Sequence, residues 1–377
     1  MKSFSTYLLS GAAIISAVLA LTAPQIVEKR APVDGLPSGG VISNGVAFGF
    51  LPSDGYKVSS PAYTMAQINS KLGAKASTYG WYAQITSSTF SGSQLLQRLD
   101  DVVASGAVFQ PAVMPSIPFS QVTSSVAAQV ASVLEQFTSK NVEVWLRFGH
   151  EMNYYVTDGT YHGTASEFIT AWKNIHAAVA NNPKIKMWWS PNVDTPSAPV
   201  APYWPGPEYV DIVGIDCYPK SLSDSSFESC YGSFYQTYSA AHNLPFAIGE
   251  TGYGTSSQNA AWGQPRHVQI PNYIAASWFE YNKEENFLII EGSSSILSQT
   301  QDLLLHNSKS GCGSGNSSGT GPTTSATSTG STPTTLSTKT STSAKATSTC
   351  TWGCEGWDCS ASVPCHSGLT CQSGYCH

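Results

Sequence analysis

Two glutamates carry the chemistry this sequence offers. Glu151 closes the run Trp145-Leu146-Arg147-Phe148-Gly149-His150-Glu151-Met152-Asn153, an apolar stretch that breaks abruptly into charged and amide groups. Glu250 closes a second one, in Ile248-Gly249-Glu250-Thr251-Gly252. A buried strand that ends in polar groups presents them at the rim of a sheet, where the active sites of α/β folds lie. A pair of carboxyl groups suits glycoside hydrolysis: one protonates the leaving oxygen while the other attacks the anomeric carbon, and a retaining pair stands about 5–5.5 Å apart. One acid must hold its proton near neutral pH while the other stays ionised, so their surroundings must differ. Arg147 and His150, or Tyr218, could supply that difference.

Other chemistries find less support. His150-Glu151-Met152-Asn153-Tyr154 lacks the second histidine of the zinc motif His-Glu-x-x-His. His162 is a possible partner whose geometry nothing fixes, and His176 and His242 fall on predicted helices. No Gly-x-Ser-x-Gly elbow follows a predicted strand, and no glycine-rich phosphate loop follows the first one. The expectation is catalysis by carboxyl groups with neither metal nor cofactor.

The elements that must position the glutamates can be read in order. Apolar runs predict strands over 46–50, 76–85, 108–114, 142–148, 185–190, 210–218, 245–248 and 274–281. Helical spacing fills most gaps, over 62–72, 93–105, 121–137, 165–180, 226–242, 266–273 and 296–306. Eight strands alternating with helices over about 280 residues predict an α/β fold, a (β/α)₈ barrel. The alternative is an open doubly wound sheet, whose usual signatures are missing. Glu151 then follows the fourth strand and Glu250 the seventh, across the barrel mouth from one another.

The chain has 377 residues, 11% of them charged, with a net charge of −6. No basic run suggests a nucleic-acid partner. Ten Trp and eighteen Tyr suit flat, stackable surfaces such as sugar rings, though they equally suit a large core. Lys2 followed by an apolar run from Tyr7 to Leu21 reads as a secretory signal, too short for a membrane span. The expected division is a signal peptide over 1–20, a propeptide over 21–30 ending in the dibasic Lys29-Arg30, and a catalytic domain over 31–312. The predicted location is extracellular, possible cell-wall association included, and the predicted state is monomeric.

From 313 to 349 the composition collapses to Ser, Thr, Gly, Pro and Ala, which cannot bury a core and predicts an extended, O-glycosylated linker. Asn316-Ser317-Ser318 is an N-glycosylation sequon. The tail, 350–377, holds six of the nine cysteines (Cys350, Cys354, Cys359, Cys365, Cys371 and Cys376). At this length disulfides must hold it together. It reads either as a module that adheres to insoluble polymer or as a small stable cap. Cys217 can bridge locally to Cys230, or Cys230 can pair with Cys312.

Arg147-Phe148-Gly149-His150-Glu151-Met152-Asn153 resembles the Arg-x-x-His-Glu-Met-Asn signature of glycoside hydrolase family 26, retaining glycosidases with (β/α)₈ folds. Three later segments resemble that family in the same order: Trp188-Trp189-Ser190-Pro191-Asn192, Tyr209 to Tyr218, and Ile248 to Gly252 with Trp278-Phe279 beyond. The resemblance implies Glu151 as general acid/base and Glu250 as nucleophile. It implies that Arg147 and His150 shape the site around Glu151 and the bound sugar. Tyr218 would hydrogen-bond the nucleophile, Trp278 would form the platform under the reacting sugar, and Trp189 and Asn192 would line the same rim. Where the family usually follows Asn153 with substrate-contacting aromatics, often two Trp, this chain has Tyr154-Tyr155. The family acts mainly on β-1,4-mannans, with members cutting mixed-linkage β-glucan or β-1,3-xylan. The expected partner is therefore a polysaccharide. A binding protein that lost turnover is the rival, against which both glutamates argue.

Overall fold

The computed structural model describes residues 36, 39–43, 45–223, 225–254, 270, 272–306, 371–372 and 375–376. The expected signal peptide, propeptide and linker lie outside these residues, as do Cys312 and most of the tail. Of the tail, Cys371–Gln372 and Tyr375–Cys376 pair as an antiparallel hairpin.

Eight strands form the core of the fold: β1 (Val46–Pro52), β2 (Thr78–Ile85), β3 (Val108–Pro115), β4 (Val144–Phe148), β5 (Ile185–Trp189), β6 (Ile212–Val213), β7 (Phe246–Thr251) and β8 (Tyr273–Glu280). Each pairs in parallel with its successor. The sheet closes where β1 pairs with β8, from Ala47↔Ala275 to Pro52↔Glu280. The protein is a (β/α)₈ barrel, as the alternation of apolar runs predicts. A two-residue strand, Ile42–Ser43, folds back on β1.

The main helices are α1 (Met65–Leu72), α2 (Leu99–Ser105), α3 (Ser124–Thr138), α4 (Ala165–Val179) and α5 (Ser294–Gln301). Their starts are written in the sequence. Thr64 with Gln67 and Thr164 with Glu167 form capping boxes, each satisfying free backbone N–H groups at both ends of the first turn. The helix expected over 226–242 is wound largely in wide π turns, Glu228–Gly232 and Tyr235–Ser239. Among the described residues no helix is long and apolar enough to cross a membrane.

Two expectations are corrected. Tyr273 opens β8 instead of closing a helix over 266–273; the rest of that helix, apart from Ile270 and Asn272, lies outside the described residues. The sixth strand is paired only at Ile212–Val213, with isolated bridges beyond it at Asn192↔Asp216 and Cys217↔Thr251. Gly214 lies so close to β7 that a Cβ there would fall 1.8 Å from the Ala247 carbonyl oxygen. The disulfide choice is settled as Cys217–Cys230.

The barrel interior is layered, as expected for this architecture. One end is plugged by Ala47, Val108, Trp145, Trp188, Ile212, Ala247, Ile274 and Ala275. A polar layer follows, in which Ser277 Oγ donates to Gln110 Oε1 at 2.8 Å and shares a hydrogen bond of 2.8 Å with Thr78 Oγ1. Gly49 belongs here because a Cβ would fall 1.9 Å from Thr78 Oγ1. Above this layer lie the ionisable groups.

Candidate active site

Both glutamates sit where backbone geometry departs from the regular strand. Beyond β4 the chain turns through Gly149 (φ 54°) and Glu151 (φ 52°), both in the left-handed region. A glutamate there is uncommon, and such strain persists only where surroundings fix it. The fixing bonds are visible. Glu151 N–H donates to Ser190 O at 2.8 Å, and Glu151 O accepts from the N–H groups of Tyr154 and Tyr155 at 3.0 and 2.9 Å. Gly149 has no side-chain alternative, since a Cβ would lie 2.9 Å from the Phe168 ring. On β7, Ile248 pairs with Ala276 and Thr251 with Trp278, so three steps on β7 oppose two on β8. That extra residue is a bulge, a device that re-aims side chains beside active sites. Gly249 faces Arg147, where a Cβ would meet the guanidinium at 2.6 Å, and Glu250 reaches the same group.

Arg147 organises the cluster. It is fully buried, and its Nη1 donates to Glu250 Oε1 at 2.7 Å while Nη2 pairs with Asp216 Oδ2. Nε and Nη2 also donate to Ser190 Oγ at 3.2 and 3.0 Å. Asp216 Oδ1 accepts from Ser190 Oγ at 3.0 Å and from the Glu250 backbone N–H at 2.9 Å. Burial opposes the Arg147 charge, but Asp216 and Glu250 more than offset it and hold the guanidinium above its ordinary range. One carboxylate oxygen from each of Glu151, Asp216 and Glu250 lies within 4.8 Å of the others. Three acids so close demand a cation, and Arg147 supplies it.

The two glutamates have unlike surroundings. Burial and the nearby Glu250 charge push the Glu151 carboxyl up to about 7, although Asn192, Arg147 and Tyr155 pull it back. Asn192 Nδ2 donates to Glu151 Oε1 at 2.8 Å. Asn192 is itself held by Asn153, whose Oδ1 accepts its N–H at 2.9 Å and whose Nδ2 donates to its carbonyl at 3.0 Å. Burial also pushes Glu250 upward, but the Arg147 charge leads a larger opposing effect that leaves its carboxyl below the ordinary value. Tyr218 Oη donates to Glu250 Oε2 at 3.1 Å. Burial also pushes Asp216 up, against the pull of Arg147. Both Asp216 oxygens already accept donors, from Ser190, the Glu250 N–H and Arg147, so that carboxylate stays ionised, and the proton of this cluster is best held by Glu151, with Glu250 ionised.

His150 is buried, and burial pushes it down to about 3, so it is a neutral imidazole. Its Nε2 lies 3.6 Å from Glu250 Oε1, and among the described residues Nδ1 has no hydrogen-bond partner.

The cluster thus unites Arg147, His150, Glu151, Asn192, Tyr218 and Glu250, but three expectations need correction. Arg147 spends its donors on Glu250, Asp216 and Ser190, so it holds carboxylates in place and is not placed to bind a sugar. Trp189 is fully buried on the outer face of β5, with Trp204, Phe234 and Tyr238 around it at ring distances of 4.7, 5.7 and 4.9 Å. Trp278 is fully buried too and donates its Nε1–H to Phe287 O at 2.7 Å. Side chains alternate along a strand. Because Ser277 faces the barrel interior, Trp278 faces out and Phe279 faces in, stacked on Tyr281 at 4.1 Å and 5.8 Å from Tyr218. Sequence reasoning passed over Ser190 as a separate site residue, together with Asp216, Tyr82 and Phe279. The Gly-Ile-Asp stretch just beyond β6 is the available signal for Asp216.

Of the tyrosine pair, Tyr155 is packed inside, its ring 5.6 Å from His150 and 5.1 Å from Tyr161. Tyr154 is 47% exposed at the rim, its ring 5.7 Å from that of Tyr155.

A (β/α)₈ barrel with a buried acid pair of unlike protonation at its C-terminal rim defines a glycoside hydrolase. More particularly, residues 111–258, which include both glutamates, match the model of glycosyl hydrolase family 26. No curated protein matches the chain by sequence. Similar solved structures include a β-mannanase of this family from Bacteroides ovatus, at 14% identity and a TM-score of 0.50, covering 71% of this chain and 89% of that one. The YdhT protein from Bacillus subtilis is 18% identical, with a TM-score of 0.50 over 69% of this chain and 86% of that one. The catalytic domain of an endo-β-1,4-mannanase from Bacillus sp. JAMB-750 is 13% identical, with a TM-score of 0.50 over 72% and 94%.

Proposed function

We propose that this protein is a secreted, retaining endo-β-glycanase that hydrolyses β-1,4-mannan-type polysaccharide. The observation that carries the reading is the pairing of Glu151 and Glu250 beyond the end of β4 and on β7, an oxygen of each within 4.8 Å of the other, with burial favouring a proton on Glu151 and Arg147 favouring charge on Glu250. Retaining enzymes hold the two carboxyl groups about 5–5.5 Å apart, whereas inverting ones leave roughly 6.5–9.5 Å for a water. In the first step a Glu250 oxygen bonds to the anomeric carbon as the glycosidic C–O bond breaks, and Glu151 gives its proton to the departing oxygen. In the second step water attacks the same carbon, its proton passes to Glu151, and the Glu250 ester bond breaks. Arg147 and Tyr218 hold the Glu250 carboxylate in place, and Asn192 aims Glu151.

The mannan preference draws on the names of the structural neighbours from Bacteroides ovatus and Bacillus sp.. Secretion draws on the N-terminal apolar run and on the Cys217–Cys230 disulfide, which belongs to an oxidising compartment. The tail over 350–377 would tether the barrel to insoluble polymer, and pull-down of the isolated tail would test this.

The function is tested by incubating the full chain and Glu250→Ala with mannan, mixed-linkage β-glucan and β-1,3-xylan. The proposal expects release of oligosaccharides from mannan by the wild type alone. Release from another polymer instead would overturn the substrate, and no release from any, or equal release by Glu250→Ala, would overturn the catalytic assignment.

A further inference from the structure

Tyr82 is a polar group at this site that the mechanism above leaves unused. It lies on β2 opposite Ala112, which in turn pairs with Arg147 on β4, so the three share one level of the barrel. Two residues earlier, Gly80 faces inward, where a Cβ would meet Leu51 and Gln110, and strand alternation turns Tyr82 to that same interior. Its ring lies 5.6 Å from His150, and it packs with Tyr218, Phe279 and Tyr281 in one cluster. Its hydroxyl is buried and, among the described residues, has no hydrogen-bond partner. His150 Nδ1, in the adjoining ring, is in the same state.

An unpaired buried polar group costs roughly 1–3 kcal/mol, so natural proteins seldom leave one without a function. Two such groups side by side, next to the carboxylate that would attack an anomeric carbon, mark a place for something rich in hydroxyls. Burial and the Glu250 charge keep the Tyr82 phenol protonated well past neutral pH, so it remains a donor. Tyr218 Oη donates to Glu250 Oε2 at 3.1 Å, whereas the Tyr82 hydroxyl approaches the same carboxylate and helps keep it ionised without a well-formed hydrogen bond to it, which leaves it able to turn to a sugar hydroxyl.

Resting on the glycosidase reading above, we propose that Tyr82 is a substrate-binding residue of the reacting subsite. Its hydroxyl donates to a ring hydroxyl of the sugar that Glu250 attacks. Removing the phenol oxygen should then weaken catalysis by losing a contact that tightens as the ring distorts, so the loss falls on kcat more than on KM.

The test is Tyr82→Phe in the full chain, assayed with dinitrophenyl β-mannobioside and with analogues lacking one hydroxyl of the reacting sugar. Expected is a fall in kcat/KM of roughly 10- to 100-fold, the scale of one lost hydrogen bond to a bound hydroxyl. The melting temperature should stay within about 3 °C of wild type, since a hydroxyl with no protein partner is removed. For one deoxy analogue, the penalty seen with wild type should largely vanish in Tyr82→Phe, because the two deletions remove the same contact. A Tyr82→Phe enzyme within twofold of wild type would overturn the proposal, as would penalties that are the same in both enzymes for every analogue. Either result with an active wild type and a dead Glu250→Ala leaves the glycosidase reading standing. A wild type inactive on every substrate would overturn both.

Discussion

Asp216 accepts the backbone N–H of Glu250 at 2.9 Å while its other oxygen pairs with Arg147, which also grips the Glu250 side chain at 2.7 Å. One buried aspartate thus fixes both ends of the proposed nucleophile: its main chain directly, and its carboxylate through a shared guanidinium. A bulge leaves a strand less constrained by its ladder, and here Asp216 supplies the missing constraint.

Substituting Asp216→Asn should therefore be costly in two ways. Arg147 would lose one of its two buried counter-charges, and breaking a buried pair costs roughly 3 kcal/mol or more. Glu250 would then be misplaced, which lowers kcat by about 100-fold. Urea denaturation and steady-state kinetics check the two effects; wild-type stability together with wild-type kcat would remove Asp216 from this role.

Glu151 ties activity to stability through pH. Its carboxyl titrates at about 7 in the folded chain against 4.5 ordinarily. A raised carboxyl favours the fold fully below the ordinary value and loses that contribution as pH climbs through about 7. Glu151→Gln removes the penalty of ionising it, so the variant should be more stable than wild type at pH 8, by up to about 3 kcal/mol. The difference should shrink toward zero near pH 4.5. The same titration sets the alkaline limb of wild-type activity: turnover should fall as pH rises through about 7. Acid loss should come at lower pH, where Glu250 takes up a proton. Melting curves across pH check the first claim; a less stable Gln variant at pH 8 would contradict it.

Tyr154 answers the departure from the family pattern. Among the described residues the exposed large apolar side chains are Ile42, Tyr56, Val103 and Tyr154; Tyr56 follows the C-terminal end of β1, and Tyr154 lies in the short helix Met152–Thr157 that follows β4. Tyr154 stands three residues beyond the proposed acid, exposed at the rim of the barrel mouth. Tyr154→Ala should raise KM for long glycans about fivefold, the equivalent of a stacking contact near 1 kcal/mol, with kcat little changed. An unchanged KM on polymer would remove it from the groove.

Much of this architecture is legible in the sequence because its signals are local. Apolar runs mark all eight strands, threonine caps mark helix starts, and polar groups ending two strands mark the glutamates. What the sequence hides is parity and partnership. Trp278 and Phe279 are equally plausible inward residues until Ser277 is seen bonding to Gln110 inside the barrel. Trp189 shares its run with Trp188, yet only Trp188 faces the barrel interior. Arg147 reads as a sugar ligand from its neighbours in sequence. Its real partners, Asp216 and Glu250, lie 69 and 103 residues away. The bulge that turns Glu250 inward leaves no mark on composition at all.

The account rests on Glu250 attacking carbon while Glu151 serves first as acid and then as base. The most direct test is the configuration of the freshly released sugar, followed by proton NMR during the first minutes of mannan hydrolysis. Two displacements at one carbon predict that the β-anomer appears first and the α-anomer grows in only by mutarotation. If the α-anomer appears first, water has attacked directly and Glu250 is not the nucleophile.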